Sequence, residues 1–116
     1  TKLEYDLVLP ERVLPLREQV SLAFFRIFQE ALTNVVRHAQ ASHVAVSIRN
    51  LGERIKLTVQ DDGIGISKDD LAATDSLGLM GMRERAIACG GEVAISGEEN
   101  QGTIVEAVLP VEGADQ

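Results

Sequence analysis

The sequence has few of the residues that cross-link or rigidify a small protein. Its 116 residues include one cysteine, three prolines, three phenylalanines and one tyrosine, and no tryptophan. The single cysteine, Cys89, excludes an intrachain disulfide and favours a reducing compartment. Because aromatic residues are scarce, we expect a core built mainly from aliphatic side chains.

Long apolar runs are missing as well. The longest stretches, such as Leu22-Ala23-Phe24-Phe25, are far shorter than the roughly 20 residues that span a bilayer. No signal peptide opens the chain, and it starts without Met in a segment that predicts a strand. We therefore expect a piece of a longer polypeptide, with cytoplasmic placement as the default. A membrane anchor outside these residues is left open.

Basic charge is also in short supply. Lys and Arg number 11 against 18 Asp and Glu, which leaves a net charge of −7. This balance argues against DNA or RNA as the main partner, because phosphate contacts need clustered cations. Residues 1–60 hold 8 basic and 6 acidic side chains, whereas residues 61–116 hold 3 and 12. Length and ordinary globular composition predict one domain over 1–110 and a flexible tail over 111–116.

Periodicity predicts a strand and then a long helix in the first third of the chain. Residues 3–9 alternate as in a half-buried strand, and Pro10 ends it. From about Ser21, the predicted N-cap, to Ala39 the period is helical. Polar residues fall on one side of this helix: Arg26, Glu30, Asn34 and Arg37. The predicted apolar side holds Leu22, Phe25, Phe28, Leu32, Val35, Val36 and Ala39.

Two hairpins and a second helix complete the predicted order β-α-β-β-loop-α-β-β. The hairpins turn at 50–53 and at 98–102, and the loop over 61–77 is predicted to hold at most a short helical turn. The second helix runs from about residue 79 to 89 and ends at Gly90-Gly91. Its predicted apolar side holds Leu79, Met82, Ala86 and Cys89. This order predicts an α+β, two-layer sandwich with a mixed sheet of about five strands, covered on one face by helices.

Four local features could carry chemistry, and each has a plain structural interpretation when taken alone. The stripe of Glu30, Asn34 and Arg37 could be a solvated helix face. Asp61-Asp62-Gly63-Ile64-Gly65 could be a turn, Gly78-Leu79-Met80-Gly81 a loop-to-helix junction, and Gly102-Thr103 a hairpin exit. Glycines nevertheless let a backbone approach a ligand, and helix N-termini attract anions. Neither a P-loop nor a dinucleotide-binding fingerprint nor a zinc spacing is present.

Taken in order, these features resemble the ATP-binding catalytic domain of two-component sensor histidine kinases, in the superfamily of gyrase B, Hsp90 and MutL. Residues 29–39 are similar to the N box, 61–65 to the G1 box, and 78–86 with Gly90-Gly91 to the G2 region. The motif Gly-Leu-Met-Gly-Met-Arg-Glu-Arg is most similar to the motif of those histidine kinases that pair with response regulators carrying a LuxR-type helix-turn-helix. The resemblance runs from Leu3 to Pro110 and implies a Bergerat-type fold that binds ATP and Mg²⁺.

The resemblance also implies a role for each motif residue at the adenine end. Asp61 matches the aspartate that accepts a hydrogen bond from the adenine amino group, which should favour ATP over GTP. Gly63 and Gly65 match the glycines that lie against the purine. Thr103 matches a residue that supports the adenine end through the Asp61 network.

At the phosphate end, Asn34 matches the magnesium ligand, and Glu30 matches the residue that orients water or acts as a base in hydrolytic relatives. Arg37 and His38 match basic phosphate-contacting residues. The nucleotide contacts of the second helix fall on Gly78, Leu79 and Gly81, with residues 66–77 as a lid. The lid motif usually reads Gly-x-Gly-Leu, whereas this sequence reads Ser76-Leu77-Gly78-Leu79. Losing the first glycine implies a stiffer lid, unless Ser76 compensates as an N-cap.

The resemblance implies phosphoryl transfer to a histidine on a separate dimerisation domain and then to a response regulator, within a homodimeric protein. His38 belongs to the nucleotide site and His43 to a strand, so neither is a credible acceptor. The chain is expected to be the catalytic domain alone, with no direct nucleic-acid binding. Two alternatives stay open: a serine kinase of the anti-sigma-factor type, and a nucleotide-blind interaction module.

Overall fold

The fold was analysed in a computed structural model, which describes residues 3–12, 15–37, 39–65, 78–97 and 100–113. Two helices are described, α1 (Glu18–Arg37) and α2 (Leu79–Ala88). The strands are β1 (Glu4–Val8), β2 (His43–Asn50), β3 (Arg54–Asp61), β4 (Glu92–Gly97) and β5 (Thr103–Pro110). This order confirms the predicted α+β architecture. The predicted lid and helical turn over 66–77 lie outside the described residues.

One mixed sheet holds all five strands in the order β1-β2-β3-β5-β4. β1 and β2 are parallel, and every other neighbouring pair is antiparallel. Both predicted hairpins are confirmed, β2 with β3 and β4 with β5. The register places Asp61, the last residue of β3, opposite Thr103, the first residue of β5. Two motifs that are distant in sequence therefore meet at one end of the sheet.

The core lies between the sheet and one face of the two helices, and it is aliphatic as predicted. α1 packs on β3 and β5, and α2 packs on β4 and β5. The central strands contribute alternating side chains that are buried: Ile55, Leu57, Val59, Val105, Ala107 and Leu109. Phe24 and Phe28 contribute only from the margin, where they are partly buried.

The second helix buries the side that its sequence predicts. Leu79, Met82, Ala86 and Cys89 are all buried. After Cys89 the chain turns at Gly90 (φ 82°), and the amide of Gly91 donates to the carbonyl of Ala86 at 2.8 Å. At the other end the N-cap is Gly78, with no side-chain cap. Ser76, the expected cap, lies outside the described residues.

The long helix differs from its prediction at its start and in its buried side. It begins at Glu18, and the amide of Ser21 donates to the carbonyl of Arg17 at 2.9 Å, so Ser21 is inside the helix and is not its N-cap. The buried side consists of Val20, Ala23, Ile27, Ala31 and Val35. The predicted apolar side is wrong for three of its members: Leu22, Phe25 and Val36 are exposed. The small Ala23 and Ala31 face the sheet and allow the helix to approach it closely.

β1 also differs from its prediction, because it is exposed on both faces instead of half-buried. Tyr5 and Leu7 pair with Val44 and Val46, whose side chains belong to the core, so they share the helix-covered side of the sheet. They remain more than half exposed, because α1 packs on β3 and β5 and α2 packs on β4 and β5, which leaves the edge strand β1 largely uncovered.

Ordered contacts continue beyond residue 110, where the flexible tail was expected to begin. The amide of Val111 donates to the carbonyl of Glu53 at 2.8 Å, and Gly113 is buried. Residues 114–116 lie outside the described part. Neither helix in that part of the chain is long and apolar enough to cross a membrane.

Candidate nucleotide site

Asp61 is a buried carboxylate at the end of β3. The residue is 8% exposed, and its Oδ1 accepts a hydrogen bond from the amide of Gly63 at 2.8 Å. Burial raises the pKa of Asp61, while hydrogen bonds from the backbones of Gly63 and Thr103 oppose that rise. When folding raises the pKa of an acid, the folded protein loses stability as the pH rises above the ordinary pKa of that acid, because the charged form is less favourable in the folded state than in the unfolded state. A buried carboxylate that costs stability suggests a role in binding.

Asp62, the next residue, has a different environment. It is exposed, and its carboxylate accepts hydrogen bonds from the amides of Ser42 and His43, both at 2.9 Å, and from the Ser42 hydroxyl at 2.7 Å. The Ser42 hydroxyl and then the His43 amide hold its pKa below the ordinary value. Asp62 therefore joins the end of β3 to the start of β2. The sequence analysis assigned it no role of its own.

Two glycines allow the backbone around Asp61 to pack closely. A side chain on Gly63 would collide with the carbonyl of Ala39, just beyond α1, and the amide of Ile64 donates to that carbonyl at 2.7 Å. A side chain on Gly102, whose φ is 86°, would collide with the carbonyl of Asp61. The G1 segment is thus held between the end of α1 and the start of β5. Gly102 was noted only as a hairpin residue, because its contact with Asp61 depends on strand pairing.

The start of α2 contacts the polar stripe of α1. A side chain on Gly78 would collide with the Glu30 carboxylate, so that carboxylate lies against the helix N-terminus. A negative charge is favourable at this position, where backbone N–H groups are unpaired. Glu30 is therefore not on a solvated face. A side chain on Gly81 would lie 2.7 Å from Nη1 of Arg85, whose guanidinium folds back over the helix.

The predicted site residues thus form two groups, both attached to the second half of α1. Asp61, Gly63 and Thr103 meet at the end of β3, and Glu30 meets Gly78 at the start of α2. Along α1, Asn34 is partly buried and Arg37 is exposed, while His38 lies outside the described residues. Gly65 has a φ of 80°, and Leu79 has its side chain in the core. A nucleotide contact by Leu79 would have to come from its backbone.

The chemistry of these groups fits a purine nucleotide. A buried carboxylate supplies an acceptor, glycines leave backbone accessible, and a helix N-terminus supplies N–H donors for an anion. In the described ranges, no cluster of three or more His, Cys, Asp or Glu side chains could hold a metal ion. Magnesium at this site would therefore be held largely by phosphate and water, with one protein oxygen such as the Asn34 amide.

The sheet order, the helix layer and the three boxes define a class of ATP-binding domain, and comparison with known proteins identifies it. Residues 19–113 match the family of histidine kinase-, DNA gyrase B-, and HSP90-like ATPases. The chain belongs to this family. Its sequence motifs and fold are those of the catalytic ATP-binding domain of sensor histidine kinases.

Individual relatives are consistent with that assignment. The chain is 41% identical over 92 residues to the sensor histidine kinase YxjM of Bacillus subtilis, covering 79% of this chain and 22% of that protein. It is 36% identical over 110 residues to the nitrate/nitrite sensor protein NarX of Escherichia coli K12, covering 94% and 18%. The fold matches the histidine kinase domain of the Erythrobacter litoralis blue-light activated kinase EL346 with a TM-score of 0.80 at 23% identity, covering 94% and 52%. The chain spans about a fifth of the length of YxjM and NarX.

Proposed function

We propose that this chain binds Mg-ATP and presents the γ-phosphoryl group to a histidine on a separate dimerisation domain. The buried Asp61 carboxylate, held by Gly63 opposite Thr103, is the observation that carries the proposal. Nothing in the strand pairing requires an acid there, and ionisation at that depth costs stability. A ligand that donates a hydrogen bond would compensate for that cost.

The adenine end of the site would select the base. A carboxylate has about four acceptor positions, and backbone donors occupy two of those on Asp61. The remaining acceptors suit the adenine amino group. Guanine carries an oxo group at that position, and two facing acceptors repel, which would disfavour GTP.

The phosphate end would lie between α1 and the start of α2. The Asn34 amide would hold magnesium, which supplies charge neutralisation at the phosphates when bound. Arg37 and His38 would contact phosphate oxygens, and the N–H groups after Gly78 would add further donors. These local groups would offset the net charge of −7, which by itself repels a polyanion. Glu30, beside Gly78, would orient the reacting groups as the catalytic residue.

The rest of the reaction is assigned to segments outside this chain. Among the relatives, YxjM and LiaS of Bacillus subtilis are both named sensor histidine kinases. By analogy, the dimerisation domain would supply the acceptor histidine and a homodimer. A response regulator with a LuxR-type DNA-binding domain would receive the phosphoryl group in the cytoplasm. The chain would then bind ATP alone but transfer phosphate only when the acceptor domain is added.

Two measurements test this proposal. Calorimetric titration with ATP and GTP, with Mg²⁺ and with EDTA, should show Mg-dependent binding of ATP and much weaker binding of GTP. Incubation with γ-labelled ATP and the acceptor domain of the same polypeptide should then label that domain. Asn34→Ala should reduce both signals, and Arg54→Ala, an exposed substitution in β3 remote from the motif residues, should reduce neither.

The label itself distinguishes the alternatives. Phosphohistidine is lost in acid and survives alkali, whereas phosphoserine behaves in the opposite way. An acid-stable label on an antagonist protein would favour the serine kinase of the anti-sigma-factor type. Failure of the folded chain to bind ATP would favour the nucleotide-blind module and reject the proposal.

A further inference from the structure

In the described part of the chain, two residues other than glycine have a left-handed backbone. They are Gln40, with a φ of 51°, and Asn100, with a φ of 64°. This conformation is unfavourable for residues with a Cβ atom, although Asn tolerates it better than most. Residues held in such conformations cluster at functional sites. Far apart in the sequence, these two both lie beside the G1 segment, residues 61–65, in the fold.

Ile64, in the G1 segment, is hydrogen-bonded on both sides at these positions. Its amide donates to the carbonyl of Ala39, the residue before Gln40, at 2.7 Å. Its carbonyl accepts a hydrogen bond from the amide of Asn100 at 2.6 Å. Both backbone groups of Ile64 are therefore satisfied by segments outside the G1 segment. One of these segments follows α1, and the other is the turn between β4 and β5.

The turn between β4 and β5 also contacts the other end of the G1 segment. The pairing of β4 with β5 ends at Thr103, so Asn100 is in the loop that joins the two strands. Gly102 in the same loop lies against the carbonyl of Asp61. The backbone of Thr103 donates a hydrogen bond to the Asp61 carboxylate. One turn therefore holds Asp61 at one end of the G1 segment and Ile64 near the other.

The simplest role for the left-handed Asn100 would be to close the turn itself. Turns are often closed by hydrogen bonds among their own residues. The amide of Asn100 instead bonds outside the turn, to Ile64. A negative φ at Asn100 would change the relative direction of the peptide groups on its two sides. The amide could then not reach Ile64 while the rest of the turn keeps its contacts with Asp61.

We infer that Asn100 is a positioning residue for the adenine end of the nucleotide site. Its left-handed backbone allows one turn to hold both Asp61 and Ile64, and this fixes the Asp61 carboxylate and the adjacent glycines where a purine would contact them. The inference rests on the proposed binding of ATP. It assigns the role to the backbone of Asn100, because the residue is exposed and no described contact uses its side chain.

The expected loss of affinity is that of the hydrogen bond between Asn100 and Ile64. If this bond is broken in the free protein, it must reform before the base can meet Asp61 in the correct position. A neutral hydrogen bond shifts such an equilibrium by about two- to tenfold, and the apparent affinity for ATP falls by the same factor. Inosine triphosphate has an oxo group in place of the adenine amino group, so it gains little from Asp61 and its affinity should change less.

Asn100→Val tests the inference, because a β-branched residue disfavours a positive φ, whereas the conservative variant Asn100→Gly accepts it. Titration calorimetry in Mg²⁺ should show that Asn100→Val binds ATP about two- to tenfold more weakly and that Asn100→Gly retains the wild-type affinity. The ratio of ATP affinity to inosine triphosphate affinity should fall in Asn100→Val alone. The matched control Gly52→Val places a β-branched residue at positive φ in the turn between β2 and β3, where an added Cβ has no neighbour within 4 Å. It should lower stability and leave both affinities unchanged.

Circular dichroism and thermal unfolding verify that each variant is folded. Should Asn100→Val fail to fold, Asn100→Ala repeats the test without β-branching. Unchanged ATP affinity in the folded variant overturns the inference and leaves the proposed function intact. Equal losses for ATP and inosine triphosphate, or a loss in Asn100→Gly, also overturn it, since neither would come from the backbone at the adenine end. A folded wild-type chain that does not bind ATP rejects the inference together with the proposed function.

Discussion

The neighbouring aspartates at the end of β3 allow binding to be separated from folding. Asp61 is buried beside the predicted purine position, whereas Asp62 is exposed and bonds only to Ser42 and His43 among the described residues. We predict that Asp61→Ala weakens ATP binding with little loss of thermal stability. A hydrogen bond to a charged acceptor contributes about 1.5–3 kcal/mol, which corresponds to roughly a 10- to 150-fold loss of affinity.

The stability of Asp61→Ala is expected to change little because two effects oppose each other. The substitution removes the hydrogen bond from Gly63, which costs about 1 kcal/mol, and it also removes a buried charge whose ionisation costs folding free energy. Asp62→Ala, the matched control, should lower the melting temperature and leave the ATP affinity within about threefold of wild type. Isothermal titration calorimetry and thermal unfolding at pH 7 measure both. Equal losses of affinity in the two variants, or unchanged affinity in Asp61→Ala, would refute the reasoning.

Three further predictions concern a glycine, an acid and a thiol. Gly102→Ala should lower the free energy of unfolding in urea by about 1 kcal/mol or more beyond the loss caused by Gly52→Ala. Both glycines have positive φ, but of the two only Gly102 lies against a backbone carbonyl, that of Asp61. Equal losses in the two variants would contradict that contact. Hydrogen bonds lower the pKa of Asp62 below 3.8, so the stabilisation by this carboxylate is present above that pH and is lost as the pH falls. Asp62→Asn should therefore make the melting temperature depend less on pH between about pH 5 and 2. A melting curve of the variant that runs parallel to that of the wild type over this pH range would contradict this. Cys89 is 2% exposed, and burial raises the pKa of its thiol. Ellman's reagent should therefore react with it at least about a hundredfold more slowly in buffer than in urea. Similar rates would show that the thiol is accessible in the folded protein.

Local patterns were sufficient where one row of apolar residues forms the whole buried side of an element. The buried side of α2 agrees with its sequence, because the row from Leu79 to Cys89 packs against both α1 and the sheet. Both hairpins also follow from alternation and from turn residues such as Gly52, which has a φ of 81°. In these segments the periodicity of the sequence is enough to predict which side chains are buried.

α1 required the tertiary structure because several neighbours compete for its surface. Its largest apolar side chains predict one buried side, yet the sheet contacts the row with Ala23 and Ala31, and α2 contacts the side with Glu30. Phe25 and Val36 are left exposed. The same competition leaves β1 uncovered, although its alternation is that of a half-buried strand. A periodicity calculation weighs hydrophobicity without reference to which surface is available.

The sequence determined the order of the boxes, the family and the identity of each candidate ligand residue, because these depend on residue type and spacing alone. The difference between Asp61 and Asp62 was decided by the tertiary structure, since strand pairing buries one carboxylate opposite Thr103 and directs the other to Ser42. Contacts such as Glu30 with Gly78 join segments about fifty residues apart. Such contacts arise only when the sheet and both helices pack together, and no local pattern encodes them.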